Sequence, residues 1–348
     1  MEGISAVICC HNGAERLPTT LAHLKAQQAQ GTPWSLLIID NASTDGTADT
    51  ARSCWQDGPV PLRIVEERRL GVRFARERGF AEAGYPIVAF IDDDNWVAPD
   101  WIEKANEIIS CDSTLGAVGS VREAVCEVPP PVWFDRYHSS YAILTEQELK
   151  VLTRPPSFLP TAGLCVRKSA WETLVHRGFH PYVPSRIGRN LHGGEDTELT
   201  VALRLSGWRL CIDPRLRLKH FMPGVRLSWS YLRRMLRASG ASDVWLDAYS
   251  DNSLSMKAGP RRWVSDNWWY QLARTELELA RRPRSVVAAL GSTTEGRYDV
   301  IEIERLFGRM LGLLQSRRRY GAARRMVREA PWRRLRGPDK TPIGADAA

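Results

Sequence analysis

The first hundred residues alternate short apolar runs with segments whose apolar side chains recur at helical spacing. This alternation predicts an α/β chain with a mostly parallel, doubly wound sheet that helices cover on both faces. Strands are predicted at residues 4–10, 36–40, 62–66, 86–92 and 161–167, with two short strands within 209–220; helices are predicted from Leu17, at 47–55 with Thr47 as N-cap, and at 71–83, 99–110 and 195–205. After about Arg226 the pattern is helical.

Polar side chains follow the predicted strands at the points where those strands end. His11 and Asn12 follow the first strand, Asp40 and Asn41 close the second, and residues 92–95 follow the fourth. Ligands of such sheets bind at the carboxyl ends of the strands. We therefore expect these side chains to share one binding edge.

The fourth strand ends in the run Asp92, Asp93, Asp94 and Asn95. Three adjacent carboxylates repel one another unless a cation or a network of donors compensates them. Oxygen ligands suit Mg²⁺ or Mn²⁺, which hold diphosphates through a few carboxylates and phosphate oxygens. The alternative is an acidic surface turn, but the apolar strand that leads into the run favours a metal site.

Two further features lie in the second half of the chain. Gly194, Glu195 and Asp196 open the predicted helix at 195–205, where the helix dipole favours carboxylates. The functional hypothesis is a general base for a hydroxyl group, and the alternative is ordinary charge at a helix start. His220 ends a predicted strand and is a candidate Mn²⁺ ligand, although a lone histidine is more often structural.

Together these stretches resemble glycosyltransferase family 2 on a GT-A fold, over about residues 4–225. The matching pieces are Val7–Asn12, Ile39–Thr47, Ala75–Gly79, Phe90–Asp94 and Gly194–Leu199. The resemblance implies a Rossmann-like, mostly parallel sheet flanked by helices in residues 1–225. The pattern of the remaining residues predicts a basic, Trp-containing helical extension in residues 226–348. Two positions depart from the family pattern. Family members often have Tyr where this chain has His11, and Asn where it has Glu77.

The resemblance also implies a role for each matching side chain. The nucleotide would contact His11, Asn12, Asp40, Asn41, Arg76, Asp92 and Asp93; Asp94 and His220 would hold Mn²⁺ or Mg²⁺; Asp196 would be the catalytic base, with Glu195 and Gly194 at the acceptor. The implied reaction is transfer of a sugar, with inversion, from a nucleoside-diphosphate donor to a carbohydrate or glycolipid hydroxyl in polysaccharide or glycoconjugate synthesis. Uracil is the base that the resemblance favours.

The charge balance adds a second theme. The net charge is +8, and the excess collects after Ala280 in Arg281, Arg282, Arg284, Arg317, Arg318, Arg319, Arg324, Arg325, Arg328, Arg333, Arg334 and Arg336. A solvated helix face explains such a run, and so does attraction to an anionic membrane or substrate. No nucleic-acid reader motif accompanies the arginines, so nucleic acid is not an expected partner.

The cysteines and the hydropathy bear on location. Seven cysteines without a C-x-x-C pair indicate reduced thiols rather than a disulfide framework. No secretory leader and no run of roughly 18 apolar residues is recognised. We therefore expect a cytoplasmic protein, at most peripheral to the inner face of the membrane.

Two other functions fit parts of the pattern. A sugar nucleotidyltransferase needs a glycine-rich phosphate loop with a basic residue after the first strand, whereas residues 10–15 offer one glycine and an acid. A non-catalytic scaffold would dock on membrane or partner through its arginines. The complete set of Asp94, Asp196 and His220 argues against that scaffold.

Overall fold

The computed structural model describes residues 3–151, 156–185, 191, 193–250, 259–291 and 294–333. Its strands are β1 (Ile4–Cys10), β2 (Trp34–Asp40), β3 (Leu62–Glu66), β4 (Ile87–Phe90), β5 (Asn95–Val97), β6 (Leu115–Cys126), β7 (Leu164–Arg167) and β8 (Arg209–Met222). The expectations for Arg334 and Arg336 lie outside the described residues.

The α-helices are numbered in chain order. In the first two thirds of the chain they are α1 (Leu17–Lys25), α2 (Thr47–Cys54), α3 (Val72–Glu82), α4 (Trp101–Cys111), α5 (Phe134–Tyr137), α6 (Glu146–Val151), α7 (Lys168–His176), α8 (Glu195–Leu205) and α9 (Trp229–Leu246). The remaining ones are α10 (Pro260–Ser265), α11 (Trp268–Ala280), α12 (Pro283–Gly291), α13 (Tyr298–Ser316) and α14 (Tyr320–Arg328).

All eight strands form one mixed sheet in the order β3-β2-β1-β4-β7-β6-β8-β5. The first four strands pair in parallel, as the alternation of strands and helices predicts. Strand β7 then runs antiparallel between β4 and β6, β8 pairs in parallel with β6, and β5 closes the sheet antiparallel to β8. The expected GT-A type of sheet, flanked by helices and followed by a helical C-terminal region, is confirmed.

Register brings the polar strand ends to one edge of the sheet. Cys10 lies opposite Asp40, and Val7 lies opposite Phe90, so the ends of β1, β2 and β4 are neighbours. Apolar side chains bury these strands on both faces, and Ile8, Ile38 and their neighbours are fully inaccessible to water. The core therefore fixes the positions of the polar residues that follow each strand.

Three local predictions differ from the structure. The pair of strands expected at 209–220 is one strand, β8, whose pairing with β6 is interrupted between Asp213 and Arg217. Strand β6 was not predicted. Thr47 is not an N-cap but the first residue of α2, and it donates its N–H to the Asp45 carboxylate over 3.1 Å.

The C-terminal helices pack on each other and on the sheet domain. Helices α9 and α13 approach closely enough that a Cβ added at Gly308 would lie 1.8 Å from the Arg237 carbonyl oxygen. Tyr249 and Trp332 join the same buried cluster as strands of the sheet. In the described part of the chain, no helix combines the length and apolarity needed to cross a membrane.

Candidate active site

The side chain of Asp93, within the acidic run, points toward helix α1. Its carboxylate accepts two hydrogen bonds from Arg16, over 2.7 and 3.2 Å, and a third from the Cys10 thiol over 3.2 Å. Thr20 donates its hydroxyl to the Asp93 carbonyl over 2.8 Å. Asp93 therefore anchors the turn to α1, with Arg16 as its counter-ion.

Asp94 points the other way and is 95% buried. Its Oδ1 accepts from the Asn95 amide over 3.1 Å and lies 3.4 Å from His220 Nε2, while Oδ2 accepts from Arg226 over 3.2 Å. Burial alone would raise the pKa of Asp94, but the hydrogen bond and charge of His220, together with Arg226, hold it at about 2. The structure thus keeps this buried carboxylate ionised.

Asp92 is the carboxylate whose proton affinity is raised. Burial and the neighbouring Asp94 charge raise the pKa of Asp92 to about 6, against the opposing charges of Arg76 and His220. Arg76 also donates to the Thr161 hydroxyl over 2.6 Å. The predicted residues Arg76, Asp92, Asp94 and His220 are therefore one electrostatic cluster at the end of β4.

The cluster fits a hard divalent cation on two observations. Asn95 pairs with His220 across β5 and β8, and this register sets His220 Nε2 3.4 Å from Asp94 Oδ1. Neighbouring ligands in an octahedron with bonds of about 2.1 Å are about 3 Å apart, so these two atoms suit one ion. Among the described residues, the buried His220 Nδ1 has no hydrogen-bond partner, so Nε2, which faces Asp94, is the ring nitrogen with a polar neighbour.

Two protein ligands are fewer than a closed metal site uses. Among the described residues, no group of three or more His, Cys, Asp and Glu side chains converges as a metal site. Sites that hold Mg²⁺ or Mn²⁺ with a diphosphate need only one or two carboxylates, because phosphate oxygens and water complete the shell. Asp94 and His220 therefore fit an ion that arrives with a diphosphate.

The loops after β1 and β2 interlock. His11 Nδ1 lies 2.8 Å from the Asn41 carbonyl oxygen, and Asn12 accepts from the Thr44 N–H over 2.8 Å. Asp40 accepts from the Ser43 N–H over 3.0 Å. Asn12 has φ 50°, a left-handed conformation that asparagine tolerates better than most residues. His11 and Asn12 are exposed at the edge of the sheet.

Asn41 is buried, and its side-chain amide hydrogen-bonds to three backbone groups. It donates to the carbonyls of Glu67 and Arg69 over 2.9 and 2.8 Å and accepts from the Gly71 N–H over 2.8 Å. It thereby ties the end of β2 to the segment that precedes α3. Between these elements lies a cleft of about 190 Å³, lined by Cys9, Cys10, His11, Asn41, Leu70, Gly71, Val72 and Ala75. Its walls are mostly apolar.

Asp196 lies in the first turn of α8, behind a glycine. Gly194 has φ 115°, a conformation that favours glycine, and its carbonyl accepts the Glu198 N–H over 2.7 Å. Asp196 is half-buried, and its Oδ1 accepts the N–H of Thr197 over 2.9 Å. Glu195 beside it is buried. The conformation of Gly194 allows the helix to begin at Glu195, so that Glu195 and Asp196 both lie in its first turn.

Arg122 links Asp196 to β8, the strand that carries His220. It lies on β6 opposite Leu218, two residues before His220 on β8. It is 2% exposed, and it donates to the carbonyls of Ser120 and Ala142. Burial lowers the pKa of Arg122 to about 10, against the opposing charge of Asp196. Asp196 therefore lies within the field of a buried guanidinium at the same sheet edge.

Sequence reasoning gave no role in the site to Arg122, Arg226 or Glu198. Arg122 interrupts the apolar stretch of β6, which is the signal for a buried charge. Arg226 is visible only through its contact with Asp94, 132 residues away. Glu198 is fully buried and accepts from Tyr249 over 2.7 Å and from the Tyr182 N–H over 2.9 Å, so it joins α8 to the C-terminal helices.

Comparison with solved structures agrees with the fold. The mannosyltransferase PcManGT from Pyrobaculum calidifontis, solved in complex with GDP-Man and Mn²⁺, superposes with a TM-score of 0.56 and 18% identity, covering 91% of this chain and 87% of that one. At this identity the likeness concerns the fold. It extends over both the sheet and much of the C-terminal helical region.

Comparison of sequences identifies relatives. A Drosophila melanogaster protein provisionally named polypeptide N-acetylgalactosaminyltransferase 13 is 24% identical over 316 residues, which are 80% of this chain and 54% of that protein. Glycosyltransferase AglE of Haloferax volcanii is 28% identical over 107 residues, which are 31% and 35% of the two chains. The chain thus spans about half or less of the length of these two relatives.

A third relative matches over more of its own length. The succinoglycan biosynthesis protein ExoM of Rhizobium meliloti is 21% identical over 236 residues, which are 67% of this chain and 71% of ExoM. The profile of the family described as Glycosyl transferase family 2 matches residues 5–174, which include the acidic run but not Asp196 or His220. Residues 5–174 of the chain therefore form a glycosyl transferase family 2 domain.

Proposed function

We propose that the protein transfers a sugar, with inversion, from a nucleoside-diphosphate donor to an acceptor hydroxyl in the presence of Mn²⁺ or Mg²⁺. The observation that carries this proposal is the buried Asp94 carboxylate, kept ionised beside His220 Nε2 at the end of β4. The family supports the class of reaction. The metal, the nucleotide and the direction of attack are our inferences.

The donor is proposed to lie along the carboxyl ends of β1, β2 and β4. Its base occupies the apolar cleft beside His11 and Asn41, and Asp40 and Asn12 line the approach. Asp92 and Arg76 face the ribose, and Asp93 supports the turn through Arg16. This order follows the strand ends, whose spacing the sheet fixes. Uracil remains our choice of base from the family resemblance.

The diphosphate is proposed to meet Asp94, His220 and Arg226. A divalent ion held there would neutralise charge that develops on the leaving diphosphate. Arg226 pairs with Asp94 in this structure and offers the diphosphate a guanidinium donor. Because Asp94 stays ionised while buried, the site presents a fixed negative charge to a cation at neutral pH.

The acceptor is proposed to bind at the start of α8. Asp196 takes the proton of the acceptor hydroxyl while its oxygen attacks the anomeric carbon on the face opposite the diphosphate. A carbon–oxygen bond forms to the acceptor as the bond to the diphosphate oxygen breaks, so the configuration inverts. Glu195 and Gly194 border the acceptor, and Arg122 places positive charge behind Asp196.

A carbohydrate or glycolipid acceptor is the class that we favour. ExoM is named for the biosynthesis of succinoglycan, a polysaccharide, and aligns over 71% of its own length. An acceptor of this kind presents many hydroxyls, and only one that approaches Asp196 opposite the diphosphate can react. We therefore infer a role in the synthesis of polysaccharides or glycoconjugates.

The test is release of nucleoside diphosphate from a panel of UDP-, GDP- and dTDP-sugars, with oligosaccharide acceptors, under Mn²⁺, Mg²⁺ or chelator. We expect one donor to be turned over by the wild type, to require metal, and to fail with Asp94→Ala. Asp49→Ala, which changes an exposed carboxylate on α2, serves as the control. A folded wild type that releases nothing from any donor would favour the non-catalytic scaffold. Product with the donor's anomeric configuration would overturn inversion.

A further inference from the structure

The C-terminal helices form a second cleft that the proposed reaction does not use. Its walls are α10, the start of α11, the turn after α13 and the first two turns of α14, and its volume is about 480 Å³. Five arginines line it, against one aspartate, Asp266: Arg262, Arg317, Arg318, Arg325 and Arg328. A cleft of this charge attracts an anion.

The single carboxylate is already engaged. Asp266 accepts from Arg324 over 2.9 Å and from Arg328 over 2.6 Å, which ties α14 to α10. Among the described residues, no carboxylate lies within ion-pair distance of Arg317 or Arg325, and both side chains are exposed. The cleft therefore keeps positive charge in excess on a well-anchored frame.

An exposed tryptophan lines the same cleft. Trp263 is 66% exposed, and Trp269 and Met326, which follow the cleft residues Trp268 and Arg325 in the chain, are 47% and 50% exposed. Large exposed apolar side chains near arginines indicate an interaction surface. Tryptophan is favoured at the boundary of lipid headgroups and acyl chains, and arginine binds phosphate oxygens in a planar fork.

We propose that this cleft binds the phosphate of an anionic membrane lipid and holds the protein at a membrane surface. Arg317, Arg318 and Arg325 contact the headgroup phosphate, while Trp263 and Trp269 enter the headgroup layer. A free phosphate would account for the arginines but not for the exposed Trp263. A single-stranded nucleic acid also pairs arginines with stacked aromatic rings, so binding of an oligonucleotide without binding of vesicles would overturn the lipid proposal. The inference is independent of the transfer reaction, and its test needs no turnover.

The experiment measures sedimentation of the full chain with vesicles of phosphatidylcholine, alone or mixed with phosphatidylglycerol. We expect binding to the mixed vesicles and little to the neutral ones. The double variant Arg317→Gln, Arg325→Gln should bind about 25-fold more weakly, at about fivefold per arginine. Trp263→Ala should weaken binding while leaving the net charge unchanged.

The control is Arg52→Gln, Arg68→Gln, which removes the same charge from exposed positions in the sheet domain. It should bind as the wild type does. If both double variants weakened vesicle binding equally, general charge attraction would explain the binding and the proposed role of the cleft would be wrong. Absence of vesicle binding, or calorimetric binding of inorganic phosphate without vesicle binding, would overturn the proposal that the ligand is a lipid. Thermal unfolding of each variant checks that the fold is retained.

Discussion

At the scale of single residues, the candidate site is defined by the partners that compensate its buried carboxylates. Asp93 is satisfied by Arg16, whereas Asp94 is held by His220 and Arg226, which come from beyond the fold's first half. Replacing one partner of a buried charge leaves the other uncompensated, which costs more than the pair contributes. Function and stability are therefore coupled at Asp94 and separable at Asp196, which is only half-buried.

The substitution Asp196→Asn tests the proposed base. The amide keeps the shape of the side chain but does not take the acceptor proton, so kcat should fall about 100- to 10,000-fold. The KM for the donor should change little, because the donor is placed by the other strand ends. Steady-state kinetics with both substrates measure this difference. Glu195→Gln should act mainly on the KM for the acceptor, and an Asp196→Asn enzyme with wild-type kcat would contradict the role.

At the scale of elements, glycine sets the approach of α9 and α13. A Cβ at Gly308 would lie 1.8 Å from the Arg237 carbonyl oxygen, and neither helix backbone yields easily. We expect Gly308→Ala to lower the free energy of unfolding by about 3 kcal/mol, as overpacked cores do. Gly84→Ala is the control, because nothing lies within 4 Å of its added Cβ. Urea unfolding of both variants measures the effect, and equal stability would contradict the close packing.

A second prediction concerns Glu198, which joins α8 to the C-terminal helices. Burial raises the pKa of Glu198 to about 7, even though Tyr182, Tyr249 and Val183 donate hydrogen bonds to it. A raised pKa means that the folded state binds the proton more tightly than the unfolded state does. This contribution to stability is complete below about pH 4.5 and is lost as the pH rises through about 7.

The variant Glu198→Gln lacks this titration. Between pH 5 and pH 8, the wild type should therefore lose about 3 kcal/mol of unfolding free energy relative to the variant. Other groups titrate alike in both proteins and cancel in the difference. Denaturant unfolding at the two pH values provides the measurement. A difference between the two proteins that does not change with pH would show that Glu198 has its ordinary pKa in the fold.

At the scale of the whole molecule, the local pattern of the sequence specified the parallel half of the sheet. Apolar runs followed by polar residues predicted β1 to β4 and their polar ends. The signal is strong for β1, β2 and β4 because these strands are buried on both faces, whereas β3 at the edge of the sheet is only partly buried. The start of α8 at Glu195 was likewise visible from the glycines that precede it.

The other half of the sheet depends on contacts between distant segments. Strand β6 was missed because glycines, a serine and Arg122 break its apolar pattern, although the sheet buries them. The antiparallel β7 and the short β5 are defined by partners far along the chain, and only that pairing brings His220 to Asp94. The strand pattern singled out His220 and the family resemblance supplied its role, whereas neither gave Arg226 a place in the site.

The binding of nucleoside diphosphates with and without Mn²⁺ tests the central claim most directly, because it requires no acceptor. Titration calorimetry with UDP and GDP should show one nucleotide binding to the wild type in Mn²⁺. Chelator or Asp94→Asn should weaken that binding at least about tenfold, as expected for a lost interaction with a charged group, whereas Asp49→Asn should not. Binding that is indifferent to Mn²⁺ and to Asp94, or no binding of either nucleotide, would contradict the site.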